Sequence, residues 1–139
     1  MKYTIYYSPQ SKVITNVELD VLYNNIIKNF KNYWLSANSS TAEIHYFEDE
    51  NLIASLIINV SIDNGIYLRY ESNKEKISVF DKTKLSTIIW TKDVCDFSLG
   101  LFLPPQLAWD GIKKFLQTGN ASNKINWMNP EDLPENGNY

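Results

Sequence analysis

The sequence predicts an α+β fold, a largely antiparallel β-sheet meander with two main helices packed on one face. Three observations carry that prediction. The middle of the chain, 42–71, reads as strands joined by tight turns, with Asn64-Gly65 as the strongest short hairpin signal. An apolar stripe of helical period precedes it, between Leu19 and Trp34. A second amphipathic stretch follows it, opened by Pro104-Pro105 and closed by Gly119. One helix before a run of strands and one after is the order expected when helices gather on one side of an antiparallel sheet.

Taken in order, Lys2 to Ser8 reads as a first strand, ended by the turn residues Ser8-Pro9-Gln10-Ser11. Thr15-Asn16-Val17-Glu18 has the spacing of a capping box, in which the Thr15 hydroxyl and the Glu18 carboxylate serve each other's backbone N–H groups. Leu19, Leu22, Tyr23, Ile26, Ile27, Phe30 and Trp34 then recur at steps that place them on one buried stripe. After a polar loop, Ala42 to Phe47 and Leu52 to Ile62 are strands flanking the acidic turn Glu48-Asp49-Glu50-Asn51. Ile66 to Glu71 returns, with Ile66, Leu68 and Tyr70 on one face and Tyr67, Arg69 and Glu71 on the other. Lys76 to Phe80 and Ser86 to Thr91 are two more short strands around the turn Asp81-Lys82-Thr83-Lys84. Leu99 to Leu103 fits either a buried strand or a packed loop. In the second helix Ala108, Ile112, Phe115 and Leu116 face the core, and Lys124 to Met128 is a closing strand. Residues 1–128 thus read as one domain, and 129–139, with two prolines and three acidic residues, as a loose tail.

Composition narrows the function. A chain of 139 residues with 44% hydrophobic and 21% charged residues has the proportions of one globular domain that needs no staple. Its net charge of −3 comes with scattered lysines and Arg69 as the only arginine, so no basic stripe is available for phosphates and direct nucleic-acid binding is not expected. No stretch approaches the ~20 apolar residues that span a bilayer. The N-terminus lacks the apolar core of a secretion signal, and Cys95, alone, can form no internal disulfide. These features together predict a cytoplasmic protein.

Catalytic constellations are sparse. The sequence has no phosphate loop, nucleophile elbow or paired-His helix. One His and one Cys fall short of a transition-metal ligand set, and Glu48-Asp49-Glu50 lacks the spacing of a calcium loop, so neither metal nor cofactor is expected. His45 and Cys95 are the one conceivable nucleophilic pair, but a strand histidine and a lone cysteine are more simply read as structural, the cysteine as a small buried hydrophobe. Among the four tryptophans, Trp34 and Trp127 read as core. Trp90 and Trp109 lie where an indole can serve a partner, although core packing is the commoner role.

The C-terminal third carries a resemblance. Leu103-Pro104-Pro105-Gln106-Leu107-Ala108-Trp109, then Ile112, Phe115-Leu116-Gln117-Thr118-Gly119 and Ile125-Asn126-Trp127, is similar to the end of the first-numbered immunity protein family of bacterial polymorphic toxin systems. In that family a proline precedes an amphipathic helix that ends in threonine-glycine, and a short strand closes on tryptophan. Asn120 to Lys124 stands here where the family pattern has a proline. The resemblance implies a protein that binds and neutralises a cognate toxin domain, a nucleic-acid deaminase or nuclease, by protein–protein contact in the cytoplasm. It leads us to expect partner contacts from acidic residues able to occlude a basic groove: Glu48, Asp49 and Glu50 at the hairpin tip, and Asp93 and Asp96, with Trp90 as anchor. The alternatives are a chaperone or adaptor for a secreted effector and, last, a small enzyme working with carboxylates.

Overall fold

The computed structural model describes residues 1–93 and 95–139. Its elements run β1 (Lys2–Tyr7), β2 (Val13–Thr15), α1 (Leu19–Tyr23), a π turn (Asn24–Lys28), α2 (Phe30–Leu35), β3 (Thr41–Glu48), β4 (Asn51–Ser61), β5 (Gly65–Glu71), β6 (Glu75–Ser78), β7 (Ile88–Trp90), β8 (Asp96–Ser98), α3 (Pro105–Thr118) and β9 (Trp127–Met128). Among the described residues, seven strands form one antiparallel sheet in the order β2-β1-β3-β4-β5-β6-β9, and β7 pairs with β8 in a separate hairpin. This is the α+β architecture expected.

The helices cover one face of the sheet. Tyr6, Ile44, Leu56, Ile58, Ile66 and Leu68 point into a core closed by Leu22, Ile26 and Trp34 from the first helical region and by Ala108, Ile112 and Phe115 from α3. Each aliphatic side chain so buried contributes roughly 1.5–3 kcal/mol. Asn29 donates its backbone N–H to the Asn24 carbonyl, five residues back, so the first helix carries an extra residue in mid-course. In a regular helix Trp34 would lie about 120° around the axis from Leu22, at ~100° per residue. The extra residue brings it back to about 20°, and Trp34 is buried to 1% exposure.

The capping box does not form. Thr15 pairs with Ile5 as the last residue of β2, and Asn16 takes a positive φ of 53°. There its side-chain oxygen accepts the Thr4 N–H at 3.0 Å. Helix α1 begins at Leu19 behind Glu18, whose side chain caps nothing. At the other end Gly119, at φ 72°, caps α3 as its position in the sequence predicts.

One open reading is settled and two further expectations are corrected. Leu99–Leu101 is a 3-10 turn packed as a loop, joined to the sheet where Leu103 bridges Ile66. The closing strand shrinks to Trp127–Met128. Residues 129–139 are docked, not loose. The Asn138 N–H and side-chain amide reach Ser98 Oγ (2.8 Å) and the Asp96 carbonyl (2.7 Å), and Ser86 Oγ bonds Asn136 at 2.7 Å. The tail's polar residues are therefore hydrogen-bonding groups for the β7–β8 hairpin. With Leu133 half-buried behind them, they close a second core on the opposite sheet face, built on Tyr67, Ile77, Val79 and Phe102.

Candidate protein-binding face

The second sheet face is divided in two. Over β5 and β6 it is covered by the β7–β8 hairpin, from which Ile89 and Phe97 reach down to Tyr67, the Phe97 and Tyr67 rings meeting edge-on at 5.4 Å. Among the described residues, no element packs on it over β2, β1, β3 and the outer part of β4. Strand registry places three cross-sheet rows there. One runs Val13, Tyr7, Glu43, Ile57, Arg69; the next Thr15, Ile5, His45, Ser55, Glu71; the third Tyr3, Phe47, Leu52.

An antiparallel sheet that turns one face to water ordinarily shows polar side chains there. Here Tyr3, Ile5, Tyr7, Phe47 and Ile57 are half-buried and belong to neither core. The Tyr3 and Phe47 rings stack at 5.0 Å and 6°, and His45 sits between Tyr7 at 4.8 Å and Phe47 at 6.4 Å. A register shift after Tyr46 leaves Ile53 as an extra residue, so Leu52 and Ile53 stand 52% and 45% exposed at the end of this face. Contiguous apolar surface, where it is large, is a feature of interaction sites.

Charge on the face is sparse and unbalanced. Glu43, Glu71 and Glu75 face one cation, Arg69. Arg69 bridges Glu71 at 2.8 Å and approaches Glu75 at 3.5 Å, while Glu43 lies 3.5 Å from His45 Nε2. The Arg69 guanidinium loses hydration by partial burial, but the Glu71 and Glu75 carboxylates outweigh that and raise its pKa. The patch is therefore aromatic in its middle and acidic in excess.

The residues singled out in the sequence fall at the two ends of this face. Glu48, Asp49 and Glu50 form the β3–β4 tip, beyond Phe47. They do not all face one way. Strand alternation turns Glu48 to the helix side, and Asp49, at φ 55°, takes the amino terminus of Met1 at 2.6 Å. Glu50 is exposed without such a contact. Trp90, Asp93 and Asp96 belong to the β7–β8 hairpin at the far end of β3, about 20 Å away along the strand.

Asp93 is turned inward. It accepts hydrogen bonds from Ser39 Oγ, Ser40 N, Ser40 Oγ and Thr41 Oγ1 at 2.8–3.4 Å. Burial pulls its pKa up, but these four donors outweigh that and hold it below the usual carboxylate range. Asp93 thus makes a structural contact within the chain. Beside it the Lys92 ammonium donates to the carbonyls of Trp34, Leu35 and Ala37. Together the two side chains clasp the hairpin turn to the loop after α2. Trp90, just before the clasp, is 63% exposed, and Asp96 lies directly opposite it across the hairpin.

Catalytic candidates are not assembled. His45 has Tyr7, Phe47 and Glu43 as its neighbours, and Cys95, expected to be buried, is exposed with its thiol toward the Asp93 carbonyl. Among the described residues no group of three His, Cys, Asp or Glu could hold a metal ion, and no helix is long and apolar enough to cross a membrane. Trp109 is half-buried, edge-on to Tyr23 at 5.1 Å, and Trp127 donates its indole N–H to the Ser122 carbonyl. Compared with known proteins, the chain matches no family model and no curated protein.

The residues that make the uncovered face, Tyr3, Ile5, Tyr7, Phe47, Leu52 and Ile57, were not among those selected from the sequence. The available signal was their strand parity. Two helices suffice for one sheet face, and these residues alternate with the ones the helices bury.

Proposed function

We propose that this chain is a cytoplasmic immunity protein, which binds a cognate toxin domain and neutralises it through the uncovered half of its sheet. One observation supports the reading above the others: an aromatic and aliphatic sheet face left open where a self-sufficient domain would be polar. The acidic excess around it favours a cationic partner, such as the substrate groove of an enzyme that attacks nucleic acid. The same excess disfavours a second copy of this chain, which would bring like charges together. The resemblance of 103–127 to the immunity family points to the same function.

The test is co-expression with the product of the adjacent upstream gene, scored by survival and by pull-down. Survival with a stable one-to-one complex is expected, and Phe47→Glu or Leu52→Glu should abolish both while the protein stays folded. A neighbour that is harmless, or that kills despite this protein, would overturn the reading for that pair. Protection that both variants retain would instead remove the sheet face from it.

A further inference from the structure

Trp90 and Asp96 form a directly opposed pair in the β7–β8 hairpin, so their side chains stand side by side on one face. The adjacent pair, Ile89 and Phe97, points the other way into the second core. Further along the Trp90 face, Ser98 is covered by Asn138 of the tail, but the cover stops there and the indole is 63% exposed. The Asp96 carboxylate takes no hydrogen bond or ion pair from any described residue; its bonded group is the backbone carbonyl, held by the Asn138 amide at 2.7 Å. The nearest lysine in sequence, Lys92, is engaged with the carbonyls of Trp34, Leu35 and Ala37 and so does not compete for Asp96.

The pair is also held in place. Lys92 and Asp93 fix one end of the hairpin turn, and Asn138 fixes Asp96 from the other side. An indole has only two side-chain torsions to fix, and on a fixed arm its backbone has little freedom left to lose on binding, which suits an interface anchor.

We propose that Trp90 and Asp96 read an arginine side chain of the cationic partner. The guanidinium plane stacks on the indole while its N–H fork donates to the Asp96 carboxylate. Arginine suits both contacts, being planar, permanently charged and able to donate two parallel hydrogen bonds; an ammonium offers neither the stacking plane nor the fork. This inference rests on the protein-binding reading above, to which it adds the chemistry of the partner's contact.

The test uses the intact, isotope-labelled protein titrated at low salt with a tetra-arginine peptide and, separately, a tetra-lysine peptide, following the Trp90 indole N–H resonance. Tetra-arginine should bind about fivefold or more tighter than tetra-lysine and shift Trp90. Asp96→Asn, read on the same resonance, and Trp90→Leu, read on the backbone amides of 88–90 and 96–98, should remove that preference without changing the melting temperature. Equal affinities, or a preference that survives both variants, would overturn the inference. The two claims separate in the co-expression assay. Protection unchanged in both variants ends the arginine inference and leaves the immunity reading standing. A Trp90- and Asp96-dependent arginine preference in a protein that protects against nothing ends the immunity reading and leaves the inference standing.

Discussion

Ser40 presents two donors to the Asp93 carboxylate, its backbone N–H and its hydroxyl, each at 3.1 Å. The contact joins the β7–β8 hairpin to the loop that starts β3, more than fifty residues earlier. Removing it by Asp93→Ala takes the acceptor from the Ser40 N–H and hydroxyl, and leaves the Ser39 and Thr41 hydroxyls only their bonds to the Thr41 carbonyl and Asn59. The expected loss is about 1–3 kcal/mol, read by urea denaturation. No loss would show that water replaces the carboxylate fully.

The same residue gives a pH signature. Its folded pKa lies below the unfolded value of ~3.9, so the stability it contributes is complete above about pH 4 and is lost as pH falls through the lower folded value. Melting temperature should therefore drop on acidification below about pH 4 in the wild type. Asp93→Asn should remove part of that slope. An unchanged acid limb in the variant would count against the hydrogen-bond account of Asp93.

Gly119 offers a steric test. A Cβ there would sit 2.7 Å from the Tyr46 ring, and φ is 72°. Tyr46 is itself packed edge-on against Phe115, and Tyr70 donates its hydroxyl to the Gly119 carbonyl at 3.1 Å. Gly119→Ala should cost about 1–3 kcal/mol of stability in urea denaturation, while the uncovered face on the other side of the sheet stays unaltered.

The docked tail makes a third structural prediction. Deleting residues 133–139 removes Leu133 from the second core and four hydrogen bonds to Ser86, Asp96 and Ser98. A loss of about 2–4 kcal/mol is expected in thermal or chemical unfolding. A truncated protein as stable as the full chain would mean that the tail lies on the surface without supporting it.

Much of this architecture was legible because it rests on strong local rules. Asn64-Gly65 fixed the β4–β5 turn, Pro105 and Gly119 bounded α3, and alternation separated Leu68 from Tyr67. What escaped depended on distant partners. Thr15 looked like a cap because its four-residue spacing is local, whereas its pairing with Ile5 across a turn is not. The tail's asparagines and glycine have the composition of a loose segment until Ser98 and Asp96 are brought beside them. The candidate face was hidden for a different reason. Tyr3, Ile5 and Tyr7 are apolar enough to be core, and only the absence of a covering element over them, a property of the whole fold, distinguishes them from Tyr6.

The order of strands in the sheet carries a kinetic consequence. β3, β4 and β5 are neighbours in both sequence and space, joined by turns of a few residues, so they can zip together at small cost in chain entropy. β1 must close a loop of more than thirty residues to reach β3, and β9 one of about fifty to reach β6, so both arrive late and leave early. The uncovered face straddles this boundary, with Phe47 and Ile57 on the early meander and Tyr3, Ile5 and Tyr7 on the late strand. A partner seated across it would clamp the slow-closing edge to the fast one. In hydrogen exchange, complex formation should then slow the amides of β1 more than those of β4, and the bound protein should unfold more slowly than the free one.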